Sequence, residues 1–172
     1  MGRILYLLLL CMCIIEIKGS KCSDIVEYAN SKVGCGYIWG GSGQNLTESK
    51  LKEFKRKYPS FIQEERDKKW IGKQVFDCSG LVKRAFEQVG IHVYHGATSA
   101  WESTRWAIKG EIEKLPKNRV SILYRKSGNG MVHTGIYLGN GEVVNAKGNK
   151  DGVVKERLGL SWTHFGIPIG IY

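Results

Sequence analysis

Behind Asp77, the positions Leu81, Val82, Ala85, Phe86 and Val89 are apolar, while Lys83, Arg84, Glu87 and Gln88 are polar. That is the spacing of one buried helical face. Gly90 follows the last periodic position, where a left-handed cap belongs, so a helix is predicted over about Ser79 to Val89. Ile25, Val26, Ala29 and Val33 form a similar stripe behind Ser23, a fair N-cap, and Gly34 stops it. Asn45 to Lys73 reads as a helical, strongly charged excursion, with Leu51, Phe54, Tyr58, Phe61 and Ile62 as anchors and Pro59 as a break. Thr98 to Ile108 fits a further helix with Trp101 and Trp106 on its inner face, and Ile91 to His95 a short extended piece.

After Leu115 the pattern changes from helical to alternating. Val120 to Tyr124 reads as a strand. Met131 to Leu138 alternates, with His133, Gly135 and Tyr137 on one face and Val132, Thr134, Ile136 and Leu138 on the other. Gly139-Asn140-Gly141 is a hairpin signal, Glu142 to Ala146 the return strand, and Val153 to Leu158 and Gly166 to Tyr172 supply two more. Helices first and a meandering antiparallel sheet afterwards define an α+β domain.

The length of 172 residues suits one domain, and residues 1–19 stand apart from it. Arg3, the apolar run Ile4 to Ile15 and Ile17-Lys18-Gly19 have the layout of a signal peptide, so a secreted product is expected: extracellular, periplasmic, or in a lysosome or phagosome of a eukaryote. The run is too short to span a bilayer comfortably, and Leu10 and Met12 stand where a lipid-anchored Cys11 or Cys13 would want a small residue. No stable membrane anchor is expected, and the domain reads as a monomer. Asn45-Leu46-Thr47 is a glycosylation sequon, usable only in a eukaryotic host.

The net charge of +10 favours acidic polymers as partners. Nucleic acid is the weaker choice. The basic residues are densest between Lys50 and Lys73, interleaved with acids, and no nucleic-acid-binding signature accompanies them. The glycine-rich loop Gly34 to Gly43 lacks phosphate-loop spacing, and the cysteines and histidines lack the close paired spacing of a metal site. No cofactor and no metal are expected. Beyond the leader remain Cys22, Cys35 and Cys78; a helix between the first two holds them too far apart for a disulfide.

Cys78 is then the candidate for chemistry. At a helix N-terminus, unpaired N–H groups and the helix dipole favour the thiolate. The plain alternative is a small buried hydrophobe. A nucleophile needs a base, and the base needs a group that fixes its ring plane. His133 lies mid-strand between small neighbours, leaving room for the cysteine helix over its ring; nothing positions His92 or His95 against Cys78. A three-residue loop with Gly141 left-handed would set Leu138 opposite Glu142 and Gly135 opposite Asn145. His133 and Asn145 then share a face one diagonal step apart. A two-residue turn would send Asn145 to the other face and make His164 the next candidate.

Three blocks carry a family resemblance: Tyr37-Ile38-Trp39-Gly40-Gly41, Phe76-Asp77-Cys78-Ser79-Gly80-Leu81-Val82, and His133-Thr134-Gly135-Ile136-Tyr137-Leu138-Gly139-Asn140-Gly141. In order and spacing they resemble the NlpC-type cell-wall cysteine endopeptidases. The resemblance implies a papain-like fold with N-terminal helices packed on a mostly antiparallel sheet, over 20–172, with a surface insertion at about 44–74. It implies hydrolysis of amide bonds in peptidoglycan stem peptides, typically between γ-D-glutamate and the diamino acid, with bacterial peptidoglycan or muropeptides as partner. By position, Cys78 is the nucleophile, His133 the base and Asn145 the third polar residue. Tyr37, Asp77, Ser79 and Ser99 are substrate-binding, Asp77 and Ser99 receiving the free amino end of the stem.

The chain departs from the family pattern at Lys117-Asn118-Arg119, where Gly-Asp is usual, and at Ala97 and Glu102, where arginine and glutamine are usual. Two other functions share the scaffold: a different thiol amidase or acyltransferase, marked by an apolar tunnel, and an inactive wall-binding protein.

Overall fold

The structure is a computed structural model that describes residues 20–172; the leader expected at 1–19 lies outside the described residues. Helix α1 (Lys21–Ser31) buries Ile25 and Ala29. Ser20, rather than Ser23, caps it, its hydroxyl accepting the Ser23 N–H at 3.2 Å. The helix stops two residues short of Val33, which is exposed. Two short strands follow, β1 (Gly36–Tyr37) and β2 (Ser42–Asn45), and with β3 (Gln74–Phe76) they form a small sheet in the order β1-β3-β2. Helix α4 (Cys78–Glu87) leaves β3 directly, buries Leu81, Val82, Ala85 and Phe86, and is followed by Gly90 at φ +73°.

Between β2 and β3 the charged excursion is helical only in α2 (Glu48–Lys57), the single turn α3 (Glu64–Asp67) and a 3-10 turn at Lys68–Trp70. It is more than a surface appendage. Leu46, Leu51, Phe54, Ile62 and Trp70 close a second core with Ile38 and Val75. The buried Asp67 carboxylate clamps it to the main sheet by accepting from Asn149 Nδ2 at 2.5 Å, and Trp70 Nε1 donates to Asn149 O at 3.1 Å. Phe61, expected as an anchor, is 49% exposed and stacks on Trp39 with ring centroids 4.1 Å apart.

Helix α5 (Ala97–Ser103) is shorter than its predicted span, and Ile91 to His95 pairs with no strand. Residues assigned to the end of α5 belong instead to β4 (Trp106–Glu111). The reason is packing: Trp106 lies over Gly166, where a Cβ would meet its ring at 2.4 Å, and Trp106 Nε1 donates to Trp101 O at 2.9 Å. The remaining strands are β5 (Ser121–Ser127), β6 (Gly130–Tyr137), β7 (Glu142–Gly148), β8 (Gly152–Arg157) and β9 (His164–Pro168). They build one antiparallel sheet in the order β4-β9-β5-β6-β7-β8. The last strand begins two residues earlier than its predicted start, at His164.

The hairpin joining β6 to β7 has the longer loop. Ile136 faces Val144, Tyr137 faces Val143, and Leu138 N donates to Glu142 O at 2.9 Å. Gly139 and Gly141 both take positive φ, +83° and +86°, which glycine supplies at no steric cost. In this register a Cβ on Gly135 would stand 2.9 Å from Asn145 Cβ. The sheet and the helical layer around α4 share one core, and the end of α4 that carries Cys78 opens on a cleft.

Candidate active site

Asp77 organises the start of α4. Its Oδ1 accepts the Gly80 N–H at 2.7 Å and the Ser79 hydroxyl at 2.9 Å; its Oδ2 accepts the Gly40 N–H at 2.9 Å. Asp77 N donates in turn to Gly41 O at 2.8 Å. The glycine loop is thereby tied to the helix N-terminus, which places Tyr37 beside Cys78. Cys78, Tyr37, Asp77, Ser79, Ser99 and His133 all line one cleft of about 640 Å3, with Trp39 and Tyr58 also on its wall. Six of the seven residues proposed from sequence converge there. Asn145 stands behind, 1% exposed, with Oδ1 2.9 Å from His133 Nε2.

Trp162 stacks on the His133 ring, with centroids 5.4 Å apart at an interplanar angle of 24°. Asn145 on one ring nitrogen leaves Nδ1 as the nitrogen available for proton exchange. Burial holds the His133 pKa below its ordinary value, against the Asn145 bond and with the Arg125 charge adding to it. The imidazole is therefore neutral at pH 7 and can act as a base.

The thiol departs from the expectation drawn from the helix dipole. Burial pushes Cys78 up to about 12, and the Asp77 carboxylate adds to the rise; backbone N–H groups of Thr134, Ser79 and Cys78 itself oppose it without winning. Desolvation outweighs the helix terminus. Raised at the sulfur and lowered at the ring, the two pKa values favour a thiol and a neutral imidazole at the cleft. Alkylation of Cys78 by iodoacetamide, followed by peptide mass mapping to separate it from Cys22 and Cys35, should be slow at pH 7 and rise about tenfold per pH unit above it. A fast plateau reaching down to pH 5 would show a preformed thiolate–imidazolium pair instead. Burial chiefly, with the Asp77 charge adding to it, also raises the Tyr37 pKa, so its hydroxyl stays protonated and can donate.

His95 was not among the sequence candidates, yet it faces the cleft with Nε2 3.0 Å and 2.8 Å from the two Asp77 carboxylate oxygens. Gly96 N donates to Ser79 Oγ at 2.9 Å, which seats the loop that carries it. Its only sequence signal was the acidic residue before Cys78, since no regular element links the two. Ser99 lies beyond Gly96, exposed on the cleft wall. His164 donates or accepts at Thr163 Oγ1, 2.9 Å away, outside the cleft. Among the described residues, no cluster of histidine, cysteine and carboxylate side chains could hold a metal ion, and no helix is long and apolar enough to cross a membrane.

A cysteine at a helix N-terminus and a strand histidine held by a buried amide thus face one cleft of an α+β domain. The NlpC/P60 family profile matches residues 34–163, so the chain belongs to the NlpC/P60 family. A probable endopeptidase p60 of Listeria seeligeri is 28% identical over 147 residues, which is 85% of this chain and 21% of that protein. The chain thus spans about a fifth of that relative's length. The peptidoglycan hydrolase RipB of Mycobacterium tuberculosis shares the fold with a TM-score of 0.59 at 24% identity, covering 87% of this chain and 64% of that one. RipD of the same organism, described as a non-catalytic NlpC/p60 protein adapted to peptidoglycan binding, matches with a TM-score of 0.58 at 17% identity, over 88% and 98% of the two chains.

Proposed function

We propose that the protein is a secreted cysteine endopeptidase that hydrolyses amide bonds in bacterial peptidoglycan stem peptides, at the bond between γ-D-glutamate and the diamino acid. The observation that carries this reading is the His133–Asn145 contact of 2.9 Å at the cleft that Cys78 lines. His133 Nδ1 takes the Cys78 proton as the sulfur attacks the γ-carbonyl, and the Cys78 N–H and Tyr37 hydroxyl stabilise the oxyanion. The imidazolium then protonates the departing amine of the diamino acid. Water, deprotonated by His133, cleaves the thioester and restores the thiol.

Tyr37, Asp77, Ser79 and Ser99 would bind the glutamyl side of the stem. A cleft lined by these polar groups suits a peptide better than the apolar tunnel that an acyltransferase acting on lipid would need. A carboxylate offers about four lone-pair sites, and the Gly80 N–H, the Ser79 hydroxyl, the Gly40 N–H and His95 fill those of Asp77. A free amino end must therefore displace His95. His95→Ala should lower KM about tenfold for a stem peptide with a free amine, and leave KM unchanged for its N-acetylated form. Equal changes for both peptides would remove Asp77 from the amine subsite.

The function itself is tested by incubating the protein with a synthetic stem peptide and following new amino groups. Cleavage lost in the presence of a thiol-alkylating reagent supports the proposal. Binding without cleavage would favour a wall-binding protein, the role that RipD's description gives to RipD.

A further inference from the structure

The amide of Asn145 faces a different partner at each end. Its Oδ1 is 2.9 Å from His133 Nε2 on β6, and its Nδ2 donates to Glu156 Oε1 on β8 at 3.1 Å. The other Glu156 oxygen accepts from Lys147 Nζ at 2.8 Å, so the contacts run across three adjacent strands. Shape alone does not tell the two ends of an amide apart, but chemistry does. An ionised carboxylate can only accept, so the NH2 end must face Glu156 and the oxygen must face His133. That oxygen also only accepts, so His133 Nε2 must carry the proton, which leaves the lone pair on Nδ1.

We infer that Glu156 is a positioning residue: its carboxylate holds the Asn145 amide in one orientation and thereby keeps His133 as the tautomer with Nδ1 free for the Cys78 proton. The inference rests on the thiol-hydrolase reading above. Nothing in the three blocks of the family resemblance includes position 156, and the sequence signal for it is only the β7–β8 register. Val143 faces Glu156 and Asn145 faces Val154, so Glu156 stands one diagonal step from Asn145 on the same face.

Glu156 is ionised. Burial works against its charge, but hydrogen bonds from Lys147 and Asn145 prevail and hold its pKa below the ordinary carboxylate value. Its charge reaches His133, favouring the imidazolium, as does that of Asp77 from the start of α4; Arg125 on β5 works against it. Trp162 on the ring and Asn145 at Nε2 are uncharged, Cys78 is a neutral thiol, and Lys147 is paired with Glu156.

The test compares wild type, Glu156→Gln, Glu156→Ala, Asn145→Ala and the double variant Asn145→Ala/Glu156→Ala. Glu156→Ala should lower kcat about 10–100-fold, the scale of a lost charged hydrogen bond, with KM within about twofold. Glu156→Gln, which keeps the shape and one acceptor, should lower kcat less. Both should move the acid limb of the pH profile to lower pH, because removing a negative charge lowers the His133 pKa. In the Asn145→Ala background, Glu156→Ala should cost nothing further.

Imidazole nitrogen NMR reads the tautomer without any substrate: protonated Nε2 alone in wild type, a mixture in Glu156→Ala. The inference is overturned by an unchanged tautomer in Glu156→Ala, or by an unmoved acid limb. It is equally overturned if kcat falls only in proportion to the fraction of folded protein. If wild type holds the predicted tautomer but cleaves no peptide, the hydrolase reading fails and the positioning role stands.

Discussion

Replacing Cys78 by alanine is expected to lower the hydrolysis rate of a stem peptide by at least about 10^4-fold, while the thermal transition stays within a few degrees of wild type. On the proposed mechanism the sulfur forms the thioester, and Cys78 is the cysteine among the described residues that lines the cleft with His133. Retained stability follows from packing. Cys78 is the first residue of α4, and the cap is supplied by Asp77, whose bonds to Gly80 N and Gly40 N do not involve the thiol. Loss of activity together with loss of folding would assign the cysteine a structural role, and retained activity would remove it from the mechanism.

The second large effect belongs to a residue with no side chain. A Cβ on Gly80 would stand 2.0 Å from Gly41 O, a backbone atom already held by the Asp77 N–H. Neither the first turn of α4 nor the glycine loop can yield without breaking that contact. Gly80→Ala should cost about 2–3 kcal/mol of stability, the scale of overpacking in a dense core, and lower Tm by about 5–10 °C. It should also lower kcat in the protein that remains folded, because moving the loop carries Tyr37 and Gly40 away from Cys78 and Asp77. Calorimetry read beside active-site titration separates the two effects. An unchanged Tm would mean that the loop and helix approach less closely than the structure has them.

Both effects come from a stretch readable in the sequence. The helical stripe from Leu81 to Val89 located α4, which runs from Cys78 to Glu87 behind an Asp77 cap. The Gly139-Asn140-Gly141 loop allowed two registers, and only the one with a left-handed Gly141 sets Asn145 on the face of His133; the structure has that register. The other parts of the cleft depend on contacts that periodicity does not encode. His95 reaches Asp77 from a loop without regular structure, so no spacing announced it. Trp162 covers His133 from a connection between strands, and Glu156 reaches Asn145 only through a third strand.

The misjudged helix end at β4 has the same origin. Trp101 and Trp106 both pack half-buried against the core, but the second does so from a strand, over Gly166, and an aromatic five residues along fits either element. The thiol's protonation is a further case. A helix N-terminus is visible in sequence as a cap and a stripe, whereas the burial that overrides it is a property of the assembled cleft.

The bond broken in the natural polymer is the most direct test of the proposed function. Purified peptidoglycan should be digested with wild-type protein and the released material weighed by mass spectrometry. The prediction is intact glycan strands whose stems end at γ-D-glutamate, together with peptides that begin at the diamino acid with a new free amine. Fragments cut within the glycan strand, or a protein that binds the polymer and releases nothing, would contradict it.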